Sequence, residues 1–229
     1  MFHVKRAAIP AGSCRSAFDV SRETPLTAEE FAALTGSDEA RLARLCLYLT
    51  LLEKWQRHIN LVAASTLTDP WRRHMLDSAQ LLPMLPGSGT TSLRIADLGS
   101  GAGFPGLVLA LLGGGEVTLI ESDSRKWAFL REVIRATGAP ARVEPARIET
   151  LAPLAADVVT ARACAPLPDL LGYVARHLSP AGLALLLKGR NAAAELTQAG
   201  KIWMMSPDLM PSQSHPSGHV IRLTAIRPR

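Results

Sequence analysis

Ten consecutive residues, Asp97 to Gly106 (DLGSGAGFPG), combine an acid, closely spaced glycines and a proline in a pattern that suits a turn pressed against a nucleotide-like cofactor. At Gly99, Gly101 and Gly103 a Cβ would forbid positive φ or keep a ligand off the backbone. Gly101, Gly103 and Gly106 also satisfy G-x-G-x-x-G, the fingerprint of dinucleotide turns. Glu121 closes the apolar run EVTLI about twenty residues on, where a carboxylate would accept both ribose hydroxyls of an adenosine.

Two details favour S-adenosylmethionine (AdoMet) over NAD. Asp97 lies before the first glycine, where its carboxylate could orient a cationic methionine end, and dinucleotide turns need no acid there. Pro105 stands at the start of the following helix and leaves one fewer N–H for a pyrophosphate. Farther on, Arg162, Ala163, Cys164, Ala165 and Pro166 fall where a strand reaches the cleft, a set with no purpose in a dinucleotide enzyme. NAD stays the competing cofactor, and a turn that only packs a helix on a sheet is the plain alternative.

The elements that must position these residues alternate. Strands are expected at 92–98, 116–121, 141–145, 156–161 and 182–188, with helices at 105–112, 124–138, 147–151 and 167–178 between them. This predicts an α/β fold, a doubly wound, mostly parallel sheet with its ligand at the carboxyl ends of the strands. A helix at 190–200 and two strands near 201–206 and 219–226 would add an antiparallel pair. Ahead of the sheet, Thr27 to Glu30 forms a capping box. Ser37 is expected to cap a longer helix carrying Leu42, Leu45, Leu49, Leu52 and Ile59 on one stripe, and a third helix should run from Trp71 to Leu82. The division is a loose leader (1–25), a small N-terminal helical subdomain (26–90) and a cofactor-binding domain (91–229).

The 229 residues suffice for one α/β domain with an N-terminal addition, and no apolar run approaches a membrane span. Residues 1–25 lack the compact apolar stretch of a secretion signal, so a cytoplasmic protein is expected. Cys14, Cys46 and Cys164 are widely spaced, which argues for neither a disulfide framework nor a zinc site. Twenty-five Lys and Arg against 20 Asp and Glu give +5, favouring a polyanionic partner. Basic residues cluster at Lys54, Arg57 and His58, at Arg72, Arg73 and His74, at Arg125, Lys126, Arg131 and Arg135, and at Lys188 and Arg190. Such clusters could meet RNA phosphates or be ordinary solvated faces.

From about Leu26 to Pro228 the chain resembles the RsmG (GidB) methyltransferases, which form N7-methylguanosine in 16S ribosomal RNA. The resemblance is carried by Trp55, Asn60 and Leu61 (W-x4-N-L), then Arg73, His74, Asp77 and Ser78 (R-H-x-x-D-S), and Asp97 to Gly106. Downstream come Ser122 to Lys126, Arg147 and Glu149 (R-x-E), Arg162 and Ala163 (R-A), and Lys188 and Gly189 (K-G). It implies a class I AdoMet-dependent methyltransferase fold, Rossmann-like, in which Gly99, Phe104, Ile148, Glu149 and Arg162 contact the cofactor. Phe104 would lie beside the methionine portion and the Ile148–Glu149 segment beside adenine. Arg73, His74 and Lys188 become the candidates for RNA or guanine contact, although His74 could instead be a structural histidine bonded to Asp77. The implied partner is 16S rRNA or the small ribosomal subunit, with no metal and a monomer favoured. The stretch Ser206 to Gly218 carries no assignable motif.

The chemistry agrees with the lack of an obvious catalytic base. Guanine N7 offers an in-plane lone pair and no proton, so attack on a sulfonium methyl needs alignment and desolvation. An exocyclic-amine methyltransferase would carry [DN]-P-P-[YFW] where this chain has RACAPL, and Cys164 lacks the proline-cysteine context of a 5-methylcytosine nucleophile. Other readings are a ribosome-assembly binder without turnover, a small-molecule methyltransferase, or an oxidoreductase on the same fold.

Overall fold

The computed structural model describes residues 24–87 and 93–229. The chain opens with helices α1 (Ala28–Thr35) and α2 (Glu39–Gln56). The expected capping box forms: Thr27 Oγ1 accepts the Glu30 amide while Glu30 Oε2 accepts that of Thr27. The cap of α2 is Asp38 rather than Ser37. Asp38 Oδ1 takes the Arg41 amide at 2.7 Å, whereas the Ser37 hydroxyl bonds Thr35. Leu45, Leu49 and Leu52 are buried as expected, joined by Tyr48. Each contributes roughly 1.5–3 kcal/mol of burial. Ile59 lies past the helix end at Gln56, whose side-chain amide binds the backbone of Leu61 and Val62 and folds the chain back.

The expected third helix is broken up. Trp71–Leu76 is π-helical and runs into the single turn α3 (Asp77–Ala79), and a 3₁₀ turn follows at Leu82–Met84. The wide turn serves tertiary contacts: Arg72 Nε pairs with Asp69 Oδ2 at 2.9 Å, and Asp69 Oδ1 caps the Leu26 amide.

The sheet comprises β1 (Arg94–Leu98), β2 (Glu116–Ile120), β3 (Ala141–Glu144), β4 (Ala156–Arg162), β5 (Leu178–Lys188), β6 (Trp203–Pro211) and β7 (His219–Pro228). Helices α4 (Gly106–Leu111), α5 (Ser124–Thr137), α6 (Leu167–His177) and α7 (Ala192–Ala199) connect them. Strand order is β3-β2-β1-β4-β5-β7-β6; β7 runs antiparallel to both of its neighbours, β5 and β6, and the other neighbouring pairs are parallel. This is the expected Rossmann-like class I arrangement, and the order reverses between β1 and β4, where ligands of such sheets bind.

Alternation along each strand divides the core. Ile95, Val117, Leu119, Val158 and Leu185 pack with α2, α4 and α5, while Ala96, Leu98, Val159, Ala161 and Leu186 pack with α6 and α7. The N-terminal helices therefore share one face of the sheet's core. The helix expected at 147–151 is a single turn, with Thr150 N and Leu151 N donating to Arg147 O. Pro145 and Pro153 flank it closely and bias the residues before them away from helix. Among the described residues no helix is long and apolar enough to cross a membrane.

Candidate functional site

Four parallel strands deliver the site. Gly99 follows β1, Glu121 follows β2, Arg162 ends β4 and Lys188 ends β5. Together with the π-helical turn and the β6–β7 loop they line a cleft of about 1220 Å³. Single small-molecule pockets run to about 300–1,000 Å³, so there is room for a cofactor and part of a second molecule.

The glycine turn is built as the residue types predict. Gly99, Gly101 and Gly103 have φ of +64°, +55° and +92°. A Cβ on Gly99 would stand 2.8 Å from Cys164 Sγ, whereas one on Gly101 would meet nothing closer than the Gly99 carbonyl at 3.9 Å. Gly101 thus keeps space open in the cleft wall. Glu121, buried at the end of β2, braces the turn: Oε2 accepts the Gly101 amide at 2.9 Å and Oε1 the Asp123 amide at 2.8 Å. A carboxylate now occupies an amide that a pyrophosphate would need. That disfavours a dinucleotide and suits a ligand bearing cationic and hydroxyl groups.

Asp97 sits beneath the turn, not on the cleft wall. It is fully buried, Oδ1 accepts the hydroxyl of its cross-strand partner Thr160 at 2.8 Å, and Oδ2 has no hydrogen-bond partner. Burial pushes its carboxyl up to about 6, against the pull of the Thr160 hydroxyl.

Phe104 anchors an aromatic stack. The Tyr48 and His74 rings lie nearly parallel to it, with centroids at 5.2 and 4.8 Å, and the Arg162 guanidinium sits 4.7 Å from its ring centre. Tyr48 also donates its hydroxyl to the Ala102 carbonyl inside the turn. Both His74 nitrogens are engaged, Nε2 with Thr66 Oγ1 at 2.8 Å and Nδ1 with Arg162 Nη1 at 3.1 Å. Burial first, then Arg162 and Arg73, lowers the imidazole to about 3, so His74 is neutral and Nδ1 accepts from the guanidinium. Asp77 pairs with Arg162 at 3.3 Å rather than with His74. The R-H-x-x-D-S and R-A motifs therefore meet in space. Ala163 holds φ of +49° as the chain turns from Arg162 to Cys164, whose thiol is raised by burial and by Asp97 and Glu121.

The other sequence candidates divide. Arg73 lines the cleft, with its backbone carbonyl accepting from Arg162. Lys188 lines it too, but its ammonium pairs with Glu195 at 2.8 Å and donates to the Ala165 carbonyl at 2.6 Å. Ile148 and Glu149 lie just beyond β3, outside the cleft lining: the Ile148 carbonyl meets His177 and Glu149 pairs with Arg147. Sequence reasoning missed Tyr48 and Ser214, and gave Asp77 only as a motif position and a partner for His74. Tyr48 was hidden within the apolar stripe of α2, and Ser214 lies in the motif-free 206–218 stretch. Among the described residues no group of three or more His, Cys, Asp or Glu could hold a metal.

Comparison with known proteins accords with this geometry. A protein of Rhodospirillum centenum called ribosomal RNA small subunit methyltransferase G is 55% identical over 202 residues, covering 88% of this chain and 92% of that protein. Its namesake from Paramagnetospirillum magneticum is 52% identical over 198 residues, covering 86% and 95%. The crystal structure of a SAM-dependent methyltransferase from Aquifex aeolicus superposes with a TM-score of 0.54 at 16% identity, covering 70% of this chain and 96% of the other, and supports the fold alone. Residues 41–220 match the GidB family model, described as rRNA small subunit methyltransferase G, and the chain belongs to that family.

Proposed function

We propose that this protein transfers the methyl group of AdoMet to guanine N7 in 16S rRNA of the small ribosomal subunit, acting in the cytoplasm. The observation that carries the reading is the Glu121–Gly101 bond, which gives the glycine turn a carboxylate rim where a phosphate binder needs free amides. The family to which the chain belongs supplies the reaction class and the RNA substrate.

The residues present fit the cofactor: the open space above Gly101 and the acid closing β2 suit an adenosine with a cationic tail. AdoMet supplies an electrophilic methyl that a ring nitrogen can take through its lone pair, without prior loss of a proton. The site's own groups match that demand. Among the described residues the acids lining the cleft are all committed, Asp77 to Arg162, Glu121 to backbone amides and Glu195 to Lys188, and His74 is neutral with both nitrogens engaged. These residues hold and orient; removing a proton from the nucleophile is not required of them.

For the individual residues, Gly99, Gly101, Gly103, Phe104, Glu121 and Arg162 form the cofactor side, with Asp97 supporting the turn from below. Ile148 and Glu149 are proposed to reach adenine from the adjoining β3 loop. Arg73, His74 and Lys188 are proposed for the RNA side, Arg73 by direct contact and the other two by shaping the wall. The test is transfer of tritiated methyl from AdoMet to 16S rRNA, naked and in small subunits lacking the modification, with nucleoside analysis. Labelled 7-methylguanosine is expected; tight AdoMet binding without label would point to another substrate or to a binder without turnover.

A further inference from the structure

The stretch 206–218, which carries no recognisable motif, ends in a loop hooked onto the cofactor side of the cleft. Ser214 Oγ donates to Asp77 Oδ1 at 2.5 Å, while Asp77 Oδ2 holds Arg162 Nη1 at 3.3 Å. A second hook lies one turn along the chain, where Gln80 Oε1 accepts the Gln213 amide at 2.8 Å and Gln80 Nε2 meets Ser212 Oγ at 3.1 Å. Ser212 and Ser214 bond each other at 2.9 Å, and each is only 5% exposed. The residues that follow, His215 and Ser217, line the same cleft as Gly101 and Phe104.

A single partly buried carboxylate is therefore shared between the loop and the guanidinium over Phe104. Its bond to Ser214, itself 5% exposed, is charge-assisted and short, the stronger class of side-chain hydrogen bond. We propose that Ser214 is a positioning residue for the RNA substrate: through Asp77 it fixes loop 212–218 as the wall that receives the target nucleotide, and it links docking there to Arg162. The proposal rests on the rRNA methyltransferase reading above. His215 and Ser217 present the polar atoms that the nucleotide meets, while the Ser214 hydroxyl is taken up by Asp77 and Ser212.

The test compares the full-length chain with Ser214→Ala and Ser214→Thr, the latter retaining a hydroxyl. Methyl transfer to small subunits lacking the modification is measured together with AdoMet binding and thermal melting. Ser214→Ala should raise the KM for subunits about tenfold, the equivalent of one hydrogen bond to a charged group, with kcat within about twofold. Ser214→Thr should recover most of that loss. An unchanged KM in a folded Ser214→Ala protein overturns the proposal, as does a parallel fall of kcat, AdoMet affinity and Tm, which marks a merely structural residue. Should Ser214→Ala unfold at the assay temperature, Ser212→Ala removes the neighbouring hook: a raised KM supports the latch and an unchanged one overturns it. No methyl transfer by the wild-type chain defeats the functional reading and the latch together; transfer by the wild type with an unaffected variant defeats the latch alone.

Discussion

Glu121 Oε2 lies 2.9 Å from the Gly101 amide, so the acid that closes β2 holds the glycine turn that follows β1. One carboxylate thereby fixes the turn's shape and sets its charge. Neutralising it with Glu121→Gln keeps the size but sets an NH₂ against one of the two amides that now donate to the carboxylate. AdoMet affinity should fall at least tenfold and Tm by several degrees, read by calorimetry and melting. Unchanged affinity would remove Glu121 from the cofactor site.

Gly101 combines a φ of +55° with open space on its cleft side. A valine there costs roughly 1–2 kcal/mol for the left-handed conformation; its Cβ meets nothing closer than the Gly99 carbonyl at 3.9 Å, and its methyls extend into the cleft space. Gly101→Val should retain its circular dichroism spectrum and lose AdoMet binding by about a hundredfold or more. Retained affinity in a folded variant contradicts the placement of the cofactor against this turn.

Lys188 is a clip between β5 and α7 before it is anything else. Its side chain is 8% exposed and that of Glu195 27%, so removing the lysine alone leaves a partly buried carboxylate without its cation. Lys188→Met should lower stability by about 1–3 kcal/mol, discounted from a fully buried pair because Glu195 reaches solvent. Adding Glu195→Gln should restore part of it, a coupling that a denaturation double-mutant cycle measures directly. RNA turnover is expected to suffer more than AdoMet affinity, because the clip shapes the cleft beyond the glycine turn. Equal loss of both would assign Lys188 to the fold alone.

How much of this was legible in the sequence depended on range. The glycine turn, Glu121 and the alternation of strands and helices are local patterns, and the structure follows them to within a few residues except in β5 and β6, at 147–151, where one turn replaces a helix, and at Trp71–Leu82, where the helix is broken up. β6 reaches Pro211 because it pairs with β7 across the molecule, a long-range ladder that no local signal encodes. The π-helical opening at Trp71 carries no local signal either; within it Arg72 donates to the Thr24 carbonyl, a contact 48 residues away in the chain. Within the site, R-H-x-x-D-S placed Asp77 and His74 on one turn but could not say that Arg162, more than eighty residues later, would separate them. Asp97 illustrates the converse. Its position before the turn was plain, yet its side chain points to Thr160 because the pleat sends that strand position inward.

His74 and Asp97 give the fold a pH signature with opposing parts. His74 has its folded pKa lowered from 6.5 to about 3, so between those values the unfolded chain binds the extra proton and stability falls as pH drops. Asp97 has its folded pKa raised from 3.8 to about 6, so there the folded chain binds the extra proton and stability falls as pH rises through that window. The His74 shift is the larger and starts at higher pH, so in that pair acidification from pH 6.5 should destabilise overall, with Asp97 moderating the slope between about 6 and 4. Replacing His74 by Asn, which cannot take up a proton, should flatten the decline of Tm over pH 6.5 to 4.5, and Asp97→Asn should steepen it. Turnover near neutrality should show no inflection from His74, because the imidazole stays neutral throughout. A kcat profile from pH 6 to 8 that loses an inflection in His74→Asn would show the ring titrating in the working enzyme, and would reopen a proton-transfer role that its bonds to Thr66 and Arg162 argue against.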